Sequence, residues 1–208
     1  MADPSPTFAG AVLCGGASRR MGTDKALLPV DGEVMAARVV AAVRAAGADP
    51  VLAVGGDAAA LSGAGLPVVP DRAPGAGPLG GIITALGAAD ARVVFVASCD
   101  LVAPSPAAVA ATVDALVADP DAAVAVPIVG GRRQWMHAAW RSSAAVPLSV
   151  AFGVGERAVH AAVAAAPLRV VELALPAAAV ADADVPTDLP GGNAAAGRPV
   201  GRRSRSSG

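Results

Sequence analysis

Phe8-Ala-Gly-Ala-Val-Leu-Cys-Gly-Gly-Ala-Ser-Arg-Arg-Met-Gly-Thr-Asp-Lys25 is the stretch that decides the fold. Its opening run, Phe8 to Cys14, is apolar and reads as a buried strand, and Gly15-Gly16 stops it. A polar, glycine-punctuated loop then carries Arg19, Arg20 and Lys25 towards a helix. Glycines at a strand tip let the backbone approach a ligand closely. A loop of free N–H groups with cations beside it suits a polyphosphate. It is no Walker A loop, because no Gly-Lys-Ser/Thr closes it, and Gly15-Gly16 lacks the spacing of the dinucleotide fingerprint. An ordinary turn flanked by solvated arginines is the plainer reading of the same residues.

Outward from this stretch, strands alternate with helices. Val34 to Ala46 is helical by composition and stops at Gly47, and Pro50 to Val54 and Leu66 to Val69 read as short buried strands. Asp71 to Gly81 is a Pro/Gly loop whose last residues begin a helix running to about Ala89. Arg92 to Ser98 contains the most β-branched run, VVFVAS, and ends at Cys99-Asp100. Ser105 caps a helix to Ala118, with Pro106 in its first turn. Strands over Ala122 to Ile128, Gln134 to Trp140 and Arg169 to Leu175 alternate with helices over Pro147 to Phe152 and Glu156 to Ala166. This order predicts an α/β fold, a Rossmann-like three-layer α/β/α arrangement on a mostly parallel sheet. Such sheets bind ligands beyond the carboxyl ends of their strands, where Gly15, Asp71 and Asp100 fall.

Composition narrows the function. The chain has 208 residues, 54% hydrophobic and 16% charged, enough for one domain with its own core and incompatible with wholesale disorder. Aromatics are 2% with no Tyr, which removes the base-stacking platform of an RNA-recognition module. Two Cys are too few for a disulfide framework or a Cys-based zinc site. A net charge of −1 argues against a nucleic-acid or membrane coat. The mean hydropathy is +0.57, yet the longest uncharged stretch, Ala73 to Ala89, is broken by Pro and Gly and falls short of the ~20 apolar residues of a span. The start, MADPSPTFAG, does not resemble a signal peptide. The expectation is a soluble cytoplasmic protein with a flexible N-terminus (1–7), one domain (8–189) and a disordered tail (190–208). The tail's four arginines face no acid and read as drift rather than as a basic arm; without them the body holds 12 basic against 17 acidic residues.

Lys25 is the only lysine beside fifteen arginines. In a chain that uses Arg wherever Arg serves, the retained lysine points to a site needing a compact point charge instead of a planar fork.

Leu13-Cys-Gly-Gly-x-Ser-Arg-Arg-Met-Gly-x-Asp-Lys25 resembles the motif of the MobA-like nucleotidyltransferases, L-A-G-G-x-S-x-R-M-G-x-D-K, with the nearest likeness to its molybdenum cofactor guanylyltransferase branch. Pro70-Asp71, Gly77-Pro-Leu-Gly-Gly81 and Cys99-Asp100 follow in the family's order, and Asp182-Ala-Asp184-Val-Pro-Thr-Asp-Leu189 stands where the family has N-x-N-T-P-E-D-L. The likeness covers about residues 8 to 189 and implies a fold of the nucleotide-diphospho-sugar transferase type. It implies GMP transfer from Mg·GTP to the phosphate of molybdopterin or the molybdenum cofactor, releasing pyrophosphate. It also implies transient contact with cofactor-biosynthesis or molybdoenzyme partners.

On this resemblance Lys25 and Arg19 hold the triphosphate and stabilise the leaving pyrophosphate, and Asp100 holds Mg²⁺. Leu13, Cys14, Gly15, Gly16, Gly77, Pro78 and Leu79 supply backbone contacts to the guanine, and Asp71 is a further nucleotide contact. No general base is needed, because a phosphate nucleophile is already ionised at pH 7. Some residues depart from the pattern. Cys14 replaces Ala and is expected to be the more exposed and oxidisable cysteine. The family's Asn after the second strand is missing at Val54-Gly55-Gly56, and the late Asn pair has become Asp182 and Asp184; one of the two is expected to join Asp100 at the metal, the alternative being that both cap the helix that follows. If Gln134 to Trp140 is a regular strand, Trp135 and Trp140 point to opposite faces, either into the core or with one beside the pterin. Glu156-Arg157 matches a family G-E-R and reads as ordering the pterin side or as a solvated helix start. The alternatives are a molybdenum cofactor cytidylyltransferase, another MobA-like transferase, or a nucleotide-binding module without catalysis.

Overall fold

The computed structural model describes residues 8–15 and 24–183. The segments expected to be flexible, 1–7 and 190–208, lie outside the described residues, as do Gly16, Arg19, Arg20 and Asp184. Chain order runs β1 (Phe8–Leu13), β2 (Pro29–Val30), β3 (Glu33–Val34), α1 (Met35–Ala45), β4 (Ala48–Val54), α2 (Ala58–Gly63), β5 (Val68–Val69) and α3 (Pro78–Ala88). It continues through β6 (Val93–Ser98), α4 (Pro106–Ala118), β7 (Val124–Val129), β8 (Arg132–Arg133), β9 (His137–Arg141), α5 (Ala145–Gly153), α6 (Val159–Ala165) and β10 (Val170–Ala174).

All six residues of β1 are buried, as a strand covered on both faces requires. Phe8 and Val12 join the layer under α1 and α4, whereas Ala9, Ala11 and Leu13 face α3, α5 and α6. Each large side chain so buried contributes about 1.5–3 kcal/mol. The main sheet has the order β10-β7-β9-β6-β1-β4-β5, with β8 beside β7. Pairs β1–β4, β1–β6, β4–β5 and β7–β10 are parallel, and β9 runs antiparallel between β6 and β7. The three-layer, mostly parallel α/β expectation therefore holds. Because β1 is flanked by β4 on one side and β6 on the other, successive crossovers diverge there and leave a crevice at the strands' carboxyl ends.

The Gln134–Trp140 segment needs correction. Only His137 to Arg141 is strand, because a turn precedes it in which Gln134 donates to the Pro127 carbonyl and His137 to that of Gln134. The tryptophans consequently do not diverge: their rings meet with centroids 6.0 Å apart, Trp140 inside the core and Trp135 packed against it. The last helix starts at Val159 rather than Glu156, whose carboxylate instead accepts from the N–H groups of Arg157 and Ala158.

His137 is buried on β9 with its ring edge-on to Phe95, and burial pushes its pKa down to about 4. Below pH 6.5 the unfolded chain takes up a proton that the folded chain refuses. Stability should therefore fall as pH drops from about 6.5 to about 4, by a contribution of about 1.4 kcal/mol per pH unit. Urea midpoints at pH 7 and pH 5, compared between the native chain and His137→Leu, measure it; equal pH slopes would rule the histidine out.

Candidate functional site

The tips of β1 and β6 and the turns after β4 and β5 converge on one crevice. The Cys14 N–H donates to the Val54 carbonyl at 2.9 Å and the Cys99 N–H to the Leu13 carbonyl at 3.2 Å, so the three strand ends stay in register as they leave the sheet. Beyond them Gly55 and Gly56 both have positive φ, +71° and +76°. A Cβ on Gly55 would lie 3.3 Å from the backbone of Gly15, tighter than ordinary contact, and the positive φ disfavours a side chain besides. The crevice comprises a cavity of about 290 Å³ over Leu13, Gly15, Lys25 and Asp100 and an adjoining one of about 640 Å³ over Gly55, Gly56 and Pro70. Cys14, Asp24 and Asp71 line both.

Lys25 opens a single 3₁₀ turn, Lys25–Leu27, capped by the Asp24 carboxylate, which accepts from the Ala26 N–H at 3.0 Å. Its ammonium reaches across the cavity to Asp100 Oδ2 at 3.3 Å and donates to the Ala183 carbonyl at 2.8 Å. The two charged side chains are 17% and 18% exposed, shielded but open on the cavity side. Ser98, the last residue of β6, donates its hydroxyl to Asp100 Oδ1 and so aims the carboxylate. Sequence reading found the lysine and the aspartate; it missed Ser98, the Ala183 carbonyl and the position of Asp24.

Asp71 divides its two oxygens. Oδ1 accepts from the Ala73 N–H at 3.0 Å and the Thr84 hydroxyl at 3.1 Å, whereas Oδ2 lies on the Gly15 side, 3.8 Å from where a Cβ on that glycine would be. Gly77 caps α3 with φ +84°, Pro78 takes the first position, and both line the cavity at the start of the helix. Leu79, the next residue of α3, is fully buried and lines neither cavity, so the expected contact from this residue is not offered by the structure.

Cys14 corrects an expectation, since it is the less exposed of the two cysteines, 4% against 8% for Cys99. The Cys14 thiol beside it, then burial, push the Cys99 thiol well above the usual range. Asp182 pairs its backbone with Leu101 and lines a neighbouring hollow with Pro78 and Met136, both of which also line the main cavity.

The donor set suits a hard cation held mainly by its ligand. Asp100 offers one carboxylate at the cavity wall, and a Mg²⁺ commonly takes one or two carboxylates alongside phosphate and water oxygens. Among the described residues no group of three or more His, Cys, Asp or Glu side chains is arranged to hold a metal by itself. Nor is any described helix long and apolar enough to cross a membrane.

Comparison with known proteins agrees with this architecture. A protein of Opitutus terrae named probable molybdenum cofactor guanylyltransferase is 44% identical over 104 residues, 49% of this chain and 52% of the relative. The chain thus spans about half the length of that relative. One of the same name from Chloroflexus aggregans is 35% identical over 162 residues, 76% of this chain and 77% of its own. The crystal structure of molybdopterin-guanine dinucleotide biosynthesis protein A from Archaeoglobus fulgidus shares the fold, with a TM-score of 0.70 at 23% identity over 86% of this chain and 94% of that one. Residues 10–166 match the family model of the MobA-like NTP transferase domain. With its strand-end crevice and its lysine–aspartate pair, the chain belongs to the MobA-like NTP transferase family.

Proposed function

We propose that this protein transfers GMP from GTP to the terminal phosphate of molybdopterin or its molybdenum-loaded form, producing the guanine dinucleotide cofactor and pyrophosphate. The observation that carries the reading is the Lys25 ammonium fixed against Asp100 in a cavity at the carboxyl ends of the central strands. The names of the relatives from Opitutus and Chloroflexus support the choice of substrates.

The chemistry asks for little beyond charge and alignment. An acceptor phosphate oxygen attacks the α-phosphorus of GTP, the bond from that phosphorus to the bridging oxygen breaks, and pyrophosphate leaves in line. Lys25 spends part of its donor capacity on Asp100 and Ala183, which fix its position, and its remaining donor capacity serves the triphosphate and the departing charge. Arg19, outside the described residues, would add a second cation. Asp100 would hold Mg²⁺, which supplies charge neutralisation at the phosphate oxygens. Guanine would meet backbone groups at Leu13 to Gly16 and at Gly77 and Pro78, with Asp71 Oδ2 as a further acceptor. The phosphate nucleophile needs no base, and both described histidines stand apart from the main cavity: His137 in the core, His160 in the hollow beside Asp182. Reaction in the cytoplasm fits these substrates.

A nucleotide panel with molybdopterin and Mg²⁺, scored by pyrophosphate release, tests the assignment: GTP should far exceed CTP, ATP and UTP. Equal or better turnover with CTP would make the protein a cytidylyltransferase.

Lys25→Arg keeps the charge but puts a planar fork where an ammonium converges on a carboxylate and a carbonyl. Steady-state rates should fall by roughly 10-fold to 10²-fold. A wild-type rate would refute the need for a compact charge.

Asp100→Asn should lose on the order of 10²-fold or more in turnover, with an unchanged circular dichroism spectrum because the residue sits in the turn just past β6 at the cavity instead of filling the core. Asp182→Asn and Asp184→Asn should separate in Mg²⁺ titrations, one raising the half-maximal Mg²⁺ concentration and the other not. Identical titrations for both would leave Asp100 as the sole carboxylate ligand.

A further inference from the structure

Cys14 and Cys99 are the chain's only cysteines, and the fold brings them together. Each immediately follows a central strand, β1 or β6, and the preceding residues Leu13 and Ser98 are partners in parallel register. Both side chains belong to the layer packed under α1 and α4, so they leave the sheet on the same face. The Cys14 thiol itself turns back to its own strand, donating to the Val12 carbonyl at 3.5 Å, on the same face as Cys99. Neighbouring strands run about 4.7–4.9 Å apart, inside the Cα separation of roughly 4.4–6.8 Å that a disulfide bridges. Both residues also line the main cavity, which gives a small solute a route to sulfurs that are otherwise covered.

We propose that Cys14 and Cys99 form a reversible intramolecular disulfide with oxidants of the peroxide class, and that this bond disables the site. The Cys14 sulfur attacks a peroxide oxygen, the O–O bond breaks, its thiol proton leaves with the departing hydroxide as one water, and Cys14 becomes a sulfenic acid. The second sulfur then attacks the sulfenic sulfur, the S–S bond forms, the S–O bond breaks, and the hydroxyl leaves as water with the second thiol's proton. Two electrons pass from the sulfurs to the peroxide. The bond would draw together the tips that carry Gly15 and Asp100, the residues next in sequence to each cysteine. A displacement of about 1 Å in such a site costs on the order of 10²-fold in rate. Only this effect on rate rests on the transferase reading; formation of the bond does not.

The test uses the full chain, reduced and then treated with hydrogen peroxide without nucleotide. Thiols titrated after denaturation should fall from two to none, the intact mass should drop by two hydrogens, and a peptide pair joining Cys14 to Cys99 should be recovered from monomeric protein. Turnover should fall at least about tenfold and return with dithiothreitol. In Cys14→Ala and in Cys99→Ser, whatever their own rates, the ratio of treated to untreated turnover should stay near one. Retention of both thiols, gain of oxygen without loss of hydrogen, or linkage only between two chains would overturn the bond. A bond that forms without change in turnover would overturn its disabling role. A reduced protein that transfers no GMP yet forms the bond would uphold the bond and remove only the substrate assignment.

Discussion

The hydrogen-bonded register of β1 with two parallel neighbours is the constraint on which this molecule depends. Leu13 pairs with Val54 on one side and Ser98 on the other, so the three strands end at one level. The residues that follow, Cys14-Gly15, Gly55-Gly56 and Cys99-Asp100, are delivered to one crevice without any contact among themselves being needed to bring them there. Slipping either neighbour by one residue would turn every side chain of that strand to the opposite layer. Phe95 would then face α3 and Val94 would face α4, an exchange of volumes that the packed layers do not accommodate. Burial on both faces therefore fixes the geometry of the site.

That dependence explains what the sequence made legible. Apolar runs closed by glycine or by Cys-Asp located β1 and β6, and Ser105-Pro106 located the start of α4, where the serine hydroxyl does accept from the Ala108 N–H. The lysine was found by its singularity and the aspartate by its place after the most β-branched strand. Elements stabilised by tertiary contact were harder to read. Helix α2 is only Ala58 to Gly63, though Asp57 caps it, and the hairpin of β2 and β3 turns on Asp31-Gly32, both at positive φ. Trp135 looked like part of a strand because periodicity does not reveal the turn that ends just before His137.

Within the crevice, shape comes from backbone and charge from very few groups. Gly15 and Gly55 face each other closely, and a Cβ on Gly55 would crowd the Gly15 backbone at 3.3 Å. Thr84, buried in α3, gives its hydroxyl to Asp71 and accepts from the Arg72 N–H, tying the loop after β5 to the helix that opens on the cavity. An alanine- and valine-rich chain can build such a site because the polar work falls to peptide groups, which every residue supplies. The few ionised side chains can then be spent where charge is needed.

The bond from Lys25 to the Ala183 carbonyl joins residues 158 positions apart. Protein synthesis is vectorial, and amino-terminal segments emerge and begin to fold while the remainder is still on the ribosome. The ammonium can meet Asp100 as soon as β6 has joined β1, but its second anchor is not yet made. A nascent chain that has completed its central sheet thus carries a lysine tethered at one end of its reach. Final assembly of the site waits for a segment translated 158 residues after the lysine.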